Sequence, residues 1–242
     1  MNPLLILLTE GMKGEPLPYV LRSDWMVTVI IFLCLISLSY IISKTKKHLQ
    51  QQLKTVFSSR ERASLFDDAT ATDIRFTSTL IFQTCILLGF CIFYYISHTN
   101  ATVIKETSHL LLFISFTLTS IVYLTVKWGV YSFVNWVFFQ KERNLTWTTT
   151  YFNNIICLGL MLFPVLLLVI YFNLSFQISL ISILTVIICA KILLFWKCFN
   201  NFFNKIHGFF HLILYFCALE ILPDLIIWKS ILISCNKLIL NI

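Results

Sequence analysis

Runs of about 20 mostly apolar residues recur along this chain, and they constrain its fold more than any other feature. Only 12% of the residues are charged, whereas a soluble domain carries about 25%. A helix of about 20 residues spans the bilayer's hydrocarbon core, and because lipid offers the backbone no hydrogen-bond partner, such a segment satisfies its own groups as a helix. The runs lack the alternation of β-barrel strands. The sequence therefore predicts an all-α, polytopic membrane helix bundle.

The apolar runs predict about six transmembrane helices in a single multi-pass domain that covers residues 1–242. Residues 1–24 contain only a short apolar run with no positive charge before it, so we expect an external tail and not a signal peptide. Residues 44–76 are expected to form a basic cytoplasmic loop. The predicted spans are Trp25–Ser43, Thr77–Ser97, Ser108 to about Val126, Tyr151–Phe172, Ile178–Trp196, and a sixth from near Phe209 to between Trp228 and Ser234.

Lysine and arginine residues are divided unevenly between the two sets of alternate loops. The rich set holds 13 of them, counting Lys127 and Lys191, and the other set holds 5. Cytoplasmic loops carry the excess of positive residues, so both termini are predicted outside the cytoplasm. Five of the six tryptophans lie near predicted span ends, as in an aromatic belt: Trp25, Trp128, Trp136, Trp196 and Trp228.

Residues 44–57 place apolar side chains at helical spacing among lysines and glutamines. This pattern predicts an amphipathic helix on the inner leaflet, whose basic face contacts anionic lipid headgroups. Ser58–Glu61 matches a capping box and predicts a second short cytoplasmic helix.

Residues Trp128–Phe139 follow the third predicted span and leave two alternatives open. One helix from Ser108 through Phe139 would be about 48 Å long, which exceeds a straight span. The segment therefore either leaves the membrane at Gly129 as an extension of the helix or lies along the interface.

No motif predicts catalysis, a cofactor or a metal. The chain has no G-x-S-x-G, phosphate-binding glycine loop or dinucleotide fingerprint, so no catalytic residue and no cofactor is expected. His207 and His211 are four residues apart and would share a helix face, but they are weak metal candidates without further ligands. The eight cysteines include no C-x-x-C pair and are expected at helix contacts.

Ionisable residues inside the predicted spans are the strongest candidates for function: Glu220 and Asp224, with Pro223 between them, and Lys191. Such residues usually face the protein interior, where they serve a proton relay or ion path, or form a structural polar contact such as a buried Glu–Lys pair. Glu220 is predicted to face the bundle and either bond a side chain or stay protonated. Pro223 is predicted to kink the helix. Asp224 lies nearer the outer interface, with headgroups or water within reach.

Whether Glu220 and Lys191 can contact each other depends on how deep each lies in the membrane. Counted along their helices from the cytoplasmic side, Glu220 lies about 16 Å deep and Lys191 about 7 Å deep. A lysine stem could narrow that gap.

Several stretches resemble one known family, a multi-pass inner-membrane family of unknown function from Bacteroidetes. The most specific pieces are LEILP and the K-x-x-x-Y-x-F-V-N-W-x-F-F stretch, although Asp224 falls where the family is expected to be mostly apolar. The resemblance implies a bacterial inner-membrane location and one domain, and it supplies no activity. The stretches are GEPLPYVLRSDWMVT (14–28), SRERASLFDDATATDIR (59–75), KWGVYSFVNWVFFQKE (127–142), LLFWKCFNNFF (193–203) and LYFCALEILPDLIIWK (214–229).

These features predict a membrane protein without enzymatic activity, either an envelope subunit or an accessory that holds partner proteins. The alternative is a small proton- or solute-conducting transporter subunit that uses Glu220, Asp224 and Lys191. The expected partners are the lipid bilayer, anionic headgroups at residues 44–57 and other envelope proteins. The net charge of +7 is attributed to topology-setting loops, and no nucleic-acid partner is expected because no aromatic-interleaved basic patch stands outside the apolar segments.

Overall fold

The fold was taken from a computed structural model, which describes residues 21–57, 71–99, 108–138, 141–172, 174–202, 214 and 216–240. All regular structure among these residues is helical, which confirms the predicted all-α class. A short 3₁₀ turn, Leu21–Ser23, comes first, and a π-helical turn, Cys217–Ile221, leads into the last helix. The helices are α1 Trp25–Phe57, α2 Ala71–Thr99, α3 His109–Phe138, α4 Lys141–Tyr171, α5 Phe176–Phe202 and α6 Leu222–Leu240.

Five helices in the described ranges are long and apolar enough to cross a membrane. They coincide with the first five predicted spans, so the polytopic bundle is confirmed. The start of the sixth predicted span, from Phe209, lies outside the described residues, and its later part is seen from Phe216 onward. The five candidate spans are Trp25–Lys46, Ile74–Thr99, His109–Val137, Trp147–Tyr171 and Phe176–Asn200.

The predicted amphipathic segment 44–57 is the second part of α1. Thr45 has non-helical backbone angles, φ −123° and ψ 27°, which kink α1 between its apolar first part and this segment. The Leu49 side chain is buried against Ile41, Leu80 and Ile156. At this position the apolar face therefore contacts α2 and α4 of the protein itself. The helix predicted from Ser58–Glu61 lies outside the described residues.

The segment after the third predicted span is an extension of α3. The helix runs without interruption from His109 to Phe138, about 45 Å at 1.5 Å per residue. Tyr131 is buried in this extension, with its ring centroid 5.5 Å from that of Trp147 and 5.4 Å from that of Tyr151. Packing against α4 thus supports the extension, which answers the question that the sequence left open.

Two glycines allow α2 to approach its neighbours closely. A Cβ at Gly89 would lie 3.1 Å from both the Cα and the backbone nitrogen of Thr117 on α3. A Cβ at Gly159 on α4 would lie 3.0 Å from the Cβ of Thr84 on α2. Small residues at such crossings are typical of membrane bundles, where close backbone packing drives helix association. These contacts place α2 between α3 and α4, with Phe90 and Phe93 in the core.

A π-helical turn directly precedes Pro223, where the sequence predicts a kink. The N–H of Leu222 donates to the carbonyl of Cys217, five residues earlier, and the flanking residues Phe216 and Leu222 keep right-handed helical angles. A proline ring clashes with the carbonyl four residues before it. The wider turn just before Pro223 accommodates that ring without ending the helix. Glu220 lies within this turn.

Candidate functional site

Glu220 is almost completely removed from solvent and lipid, with only 1% of its surface exposed. Its Oε2 accepts hydrogen bonds from the ammonium groups of Lys127 and Lys191. Its Oε1 accepts a hydrogen bond of 2.7 Å from the Tyr131 hydroxyl. The prediction that Glu220 faces the bundle and bonds another side chain is therefore confirmed.

Asp224 follows one turn later and shares the Glu220 face of the helix. It accepts hydrogen bonds from Lys127 Nζ at 3.2 Å and from the Tyr123 hydroxyl. Lys191 Nζ lies 2.8 Å from its other oxygen. The carboxylate thus bonds groups of the bundle and does not depend on headgroups, although 38% of the side chain remains exposed.

The two lysines come from different helices and differ in access. Lys127 on α3 is 3% exposed, and it donates to Glu220, Asp224 and, at 2.8 Å, the Tyr123 hydroxyl. Lys191 on α5 is 29% exposed and pairs with both carboxylates. Its long stem closes the gap in height to Glu220 that the sequence left open. The ionic cluster is defined here as Lys127, Lys191, Glu220 and Asp224, with the hydroxyls of Tyr123 and Tyr131.

The assignment of Lys127 to a cytoplasmic loop is wrong. The sequence places this residue just after the predicted end of the third span, whereas the structure continues α3 beyond it and buries its ammonium group. The sequence also missed Tyr123 and Tyr131 as members of the site. A signal was present, because the three residues are spaced by four and therefore share one helix face.

With all four charged groups ionised, the ionic cluster is electrically neutral. A buried charge in an apolar interior is strongly unfavourable unless it is paired and hydrogen-bonded. Here every charge has two opposite partners, and they come from α3, α5 and the π turn with α6. The cluster thus connects α6 to the rest of the bundle by ion pairs.

An apolar cavity of about 810 Å³ extends from the ionic cluster between α2, α3, α4, α5 and α6. It follows α5 from Phe176 to Leu194, and Phe176 lies about 22 Å from Lys191 along that helix. Its wall is mostly apolar, and leucine and isoleucine are its commonest residues, including Leu184 and Ile187. The cavity therefore has a charged end and a long apolar body.

Aromatic side chains from three helices form the other end of the cavity. The Tyr95 and Trp228 rings pack edge to face with centroids 4.8 Å apart, which joins α2 to α6. Phe176 on α5 lies 6.1 Å from Tyr94 and 6.2 Å from Tyr95, again between ring centroids. All four residues line the cavity. The aromatic end and the ionic cluster thus bound the same apolar space from opposite sides.

Of the remaining site candidates from the sequence, the structure describes only Pro223, which does not join this cluster. Pro223 lies in the first turn of α6, between the two carboxylate residues. His207 and His211 lie outside the described residues. Within the described part of the chain, no group of three His, Cys, Asp or Glu side chains is placed to hold a metal ion.

Membrane-length helices around a buried ionic cluster and an apolar cavity define a polytopic α-helical membrane protein with an intramembrane polar site. Comparison with protein families finds a match over residues 27–231 to the domain of unknown function DUF4271. The chain belongs to this family, and all six residues of the ionic cluster fall within the match. No curated protein and no solved structure matches the chain.

Proposed function

We propose that this protein is a small transporter subunit that binds an amphiphilic solute inside the bilayer. The apolar part of the solute occupies the cavity, and its polar group meets the ionic cluster. The observation that carries the proposal is the continuity of the cavity from Lys191 and Asp224 to the aromatic end at Phe176 and Trp228.

The cavity has the size and the lining of a small-molecule site. Such sites measure about 300–1,000 Å³ and combine apolar walls with a few polar groups that orient the ligand. Here the wall is mostly apolar, with leucine and isoleucine its commonest residues, and the charged groups are gathered at one end. This division matches a molecule with a polar group and an apolar body.

The ionic cluster is better explained as part of a functional site than as a purely structural set of ion pairs. Ionisable residues within membrane spans are rare, and they mark substrate and ion pathways. If the protein only held envelope partners, the ion pairs would serve to attach α6 to the bundle. Such a role would not explain the cavity. Solute binding accounts for the cluster and the cavity together.

The proposal is tested with two tryptophan substitutions on neighbouring residues of α5. Ile187 lines the cavity, whereas Ile188 is 55% exposed on the outer surface of the bundle. Ile187→Trp should obstruct the cavity and displace the bound solute, while Ile188→Trp should leave binding unchanged. Protein extracted with native lipid would be examined by native mass spectrometry. We expect a bound amphiphile on the wild type and on Ile188→Trp, and its loss from Ile187→Trp.

Two results would contradict solute binding in this cavity. One is a wild-type protein that carries no bound small molecule after extraction from native membranes. The other is a bound molecule that Ile187→Trp retains as fully as Ile188→Trp does, because the site would then lie elsewhere.

For the location, we propose a bacterial inner membrane with both termini outside the cytoplasm. The resemblance to the Bacteroidetes family supports the assignment to a bacterial inner membrane. The charge distribution supports the orientation even after correction, because removing the ion-paired Lys127 and Lys191 from the 13 loop charges still leaves 11 against 5. The excess therefore remains on the same side.

Reporter fusions test this orientation. Fusions after Lys54, Arg143 and Lys205 should give a cytoplasmic signal, and fusions after Ala101 and Ser175 should give the opposite signal. Enzymes that fold on only one side of the membrane provide the measurement. A cytoplasmic signal after Ala101 would refute the orientation.

A further inference from the structure

The two lysines of the ionic cluster differ in how many of their hydrogen-bond donors are used. An ammonium group has three. Lys127 donates to Glu220, to Asp224 and to the Tyr123 hydroxyl, and is therefore saturated. Lys191 pairs with the two carboxylates, and its contacts with the described residues use two donors. Because Lys191 lines the cavity, its third N–H can meet an acceptor on a bound solute.

Access divides the cluster into a buried pair and an accessible pair. Lys127 and Glu220 are nearly inaccessible, whereas about a third of the Lys191 and Asp224 side chains is exposed. All four charged residues line the cavity, and the accessible pair presents more of its surface. A solute in the cavity thus meets a Lys191 donor that no described residue uses, beside the more exposed of the two carboxylates.

Charge balance decides which polar group fits this position. The cluster is neutral with its four groups ionised, so an anion or cation that binds alone would bring an uncompensated charge into an apolar region, at a high cost. A carboxylate avoids this cost when one proton from solution binds with it, because the two together add no net charge. The carboxylate can accept the free Lys191 donor while the proton neutralises Asp224, and the sum stays zero.

The groups around Asp224 allow it to take this proton. Lys127 and Tyr123 face it from α3, Lys191 faces it from α5, and Glu220 precedes it on the same helix face. Tyr151 of α4 lines the same cavity. When a ligand carboxylate accepts a hydrogen bond from Lys191, the positive charge of Lys191 is shared with the ligand. Asp224 is then less well neutralised by Lys191. Protonation then restores the balance, while Glu220 keeps Lys127 and Tyr131.

We propose that the solute is a single-chain carboxylic acid of fatty-acid type, and that its anion binds together with one proton, which is held by Asp224. This inference rests on the proposed function and specifies its ligand. The cavity of about 810 Å³ favours one chain, since its volume is that of a site for one small molecule.

The test compares three probes that share a twelve-carbon chain: laurate, dodecanol and dodecyl sulfate. Their binding to the full-length protein in lipid nanodiscs would be measured by calorimetry, with empty nanodiscs as the blank. Laurate should bind at least about tenfold more tightly than either of the others, because dodecanol offers Lys191 only an uncharged acceptor and a sulfate, as a much weaker base, is a weaker acceptor than a carboxylate. Titrations in buffers of different ionisation enthalpy should show uptake of one proton per laurate.

Proton uptake also predicts the direction of the pH dependence. Where free laurate and free Asp224 are both ionised, uptake of one proton lowers the laurate association constant about tenfold for each unit of rising pH. Dodecanol binding should not change over the same range. Because this measurement uses the wild type, it does not depend on the folding of any variant.

The double variant Lys191→Gln/Asp224→Asn removes the accessible pair and keeps the cluster neutral. It should lose the preference for laurate and the proton uptake but still bind dodecanol, with unchanged secondary structure by circular dichroism. If laurate and dodecanol bind equally and Ile187→Trp loses both, the preference for a carboxylic acid is wrong, but amphiphile binding in the cavity still holds. Dodecyl sulfate bound as tightly as laurate would also contradict the preference for a carboxylic acid. Failure of all three probes to bind the wild type would count against both proposals.

Discussion

Glu220→Gln is expected to destabilise the protein by about 3–5 kcal/mol, the usual cost of breaking a buried ion pair by removing one partner. Lys127 is 3% exposed and would keep its positive charge with only Asp224 as a negative partner. Tyr131 would lose a charged acceptor for its 2.7 Å hydrogen bond. Reversible unfolding in mixed micelles, in which a denaturing detergent is titrated against a mild one, would measure the change.

Two comparisons make this prediction specific. Asp224→Asn is the same chemical change one turn away on a side chain that is 38% exposed, so it should cost clearly less than Glu220→Gln. The double variant Lys127→Met/Glu220→Gln removes both charges of the buried pair and should recover much of the lost stability, because no buried lysine is left with too little negative charge around it. If Glu220→Gln unfolds at the same detergent ratio as the wild type, the ionic cluster does not stabilise the bundle.

Alanine at either close-approach glycine is expected to cost about 1–3 kcal/mol, as overpacking of a well-packed interior usually does. At Gly89 the new methyl group would lie 3.1 Å from backbone atoms of Thr117, so α2 and α3 would have to separate. At Gly159 it would meet Thr84, whose hydroxyl is held by a 2.9 Å hydrogen bond to the Leu80 carbonyl. The same detergent titration would measure both losses.

Gly129 is the matched control for these substitutions. It lies within α3, and apart from its chain neighbours and the backbone of its own helix, no atom of the described residues would lie within 4 Å of a Cβ there. Gly129→Ala should be neutral or stabilise the helix by up to about 1 kcal/mol, which is the difference in helix propensity. A loss at Gly129 as large as that at Gly89 would mean that the approach of α2 to its neighbours does not explain the effect, since helix propensity alone favours alanine.

The proposed binding site and the stability of α6 depend on the same side chains. All four charged residues line the cavity, but Glu220 and Lys127 form the buried half of the ionic cluster and Lys191 and Asp224 its more exposed half. A solute that competes for Lys191 would therefore weaken one of the attachments of α6 and leave the buried pair intact. This arrangement permits solute binding without loss of the fold.

The sequence by itself determined the class of the fold and the first five spans. Both follow from local properties, since the thickness of the hydrocarbon core sets the length of an apolar run and backbone hydrogen bonding requires a helix. The orientation of Glu220 was also predictable, because a carboxyl group that faces lipid is costly. The helical character of residues 44–57 followed from spacing in the same way.

Only the tertiary structure decided the partners of these residues. Hydropathy ends the third span before Lys127, whereas packing of Tyr131 on Trp147 and Tyr151 continues α3 past it. The irregularity at Pro223 was predictable, but its form as a π turn depends on local backbone packing. The ionic cluster and the cavity depend on how α3, α5 and α6 are placed side by side. Spacing within one helix shows which residues share a face, but contacts between helices arise only when the bundle is packed.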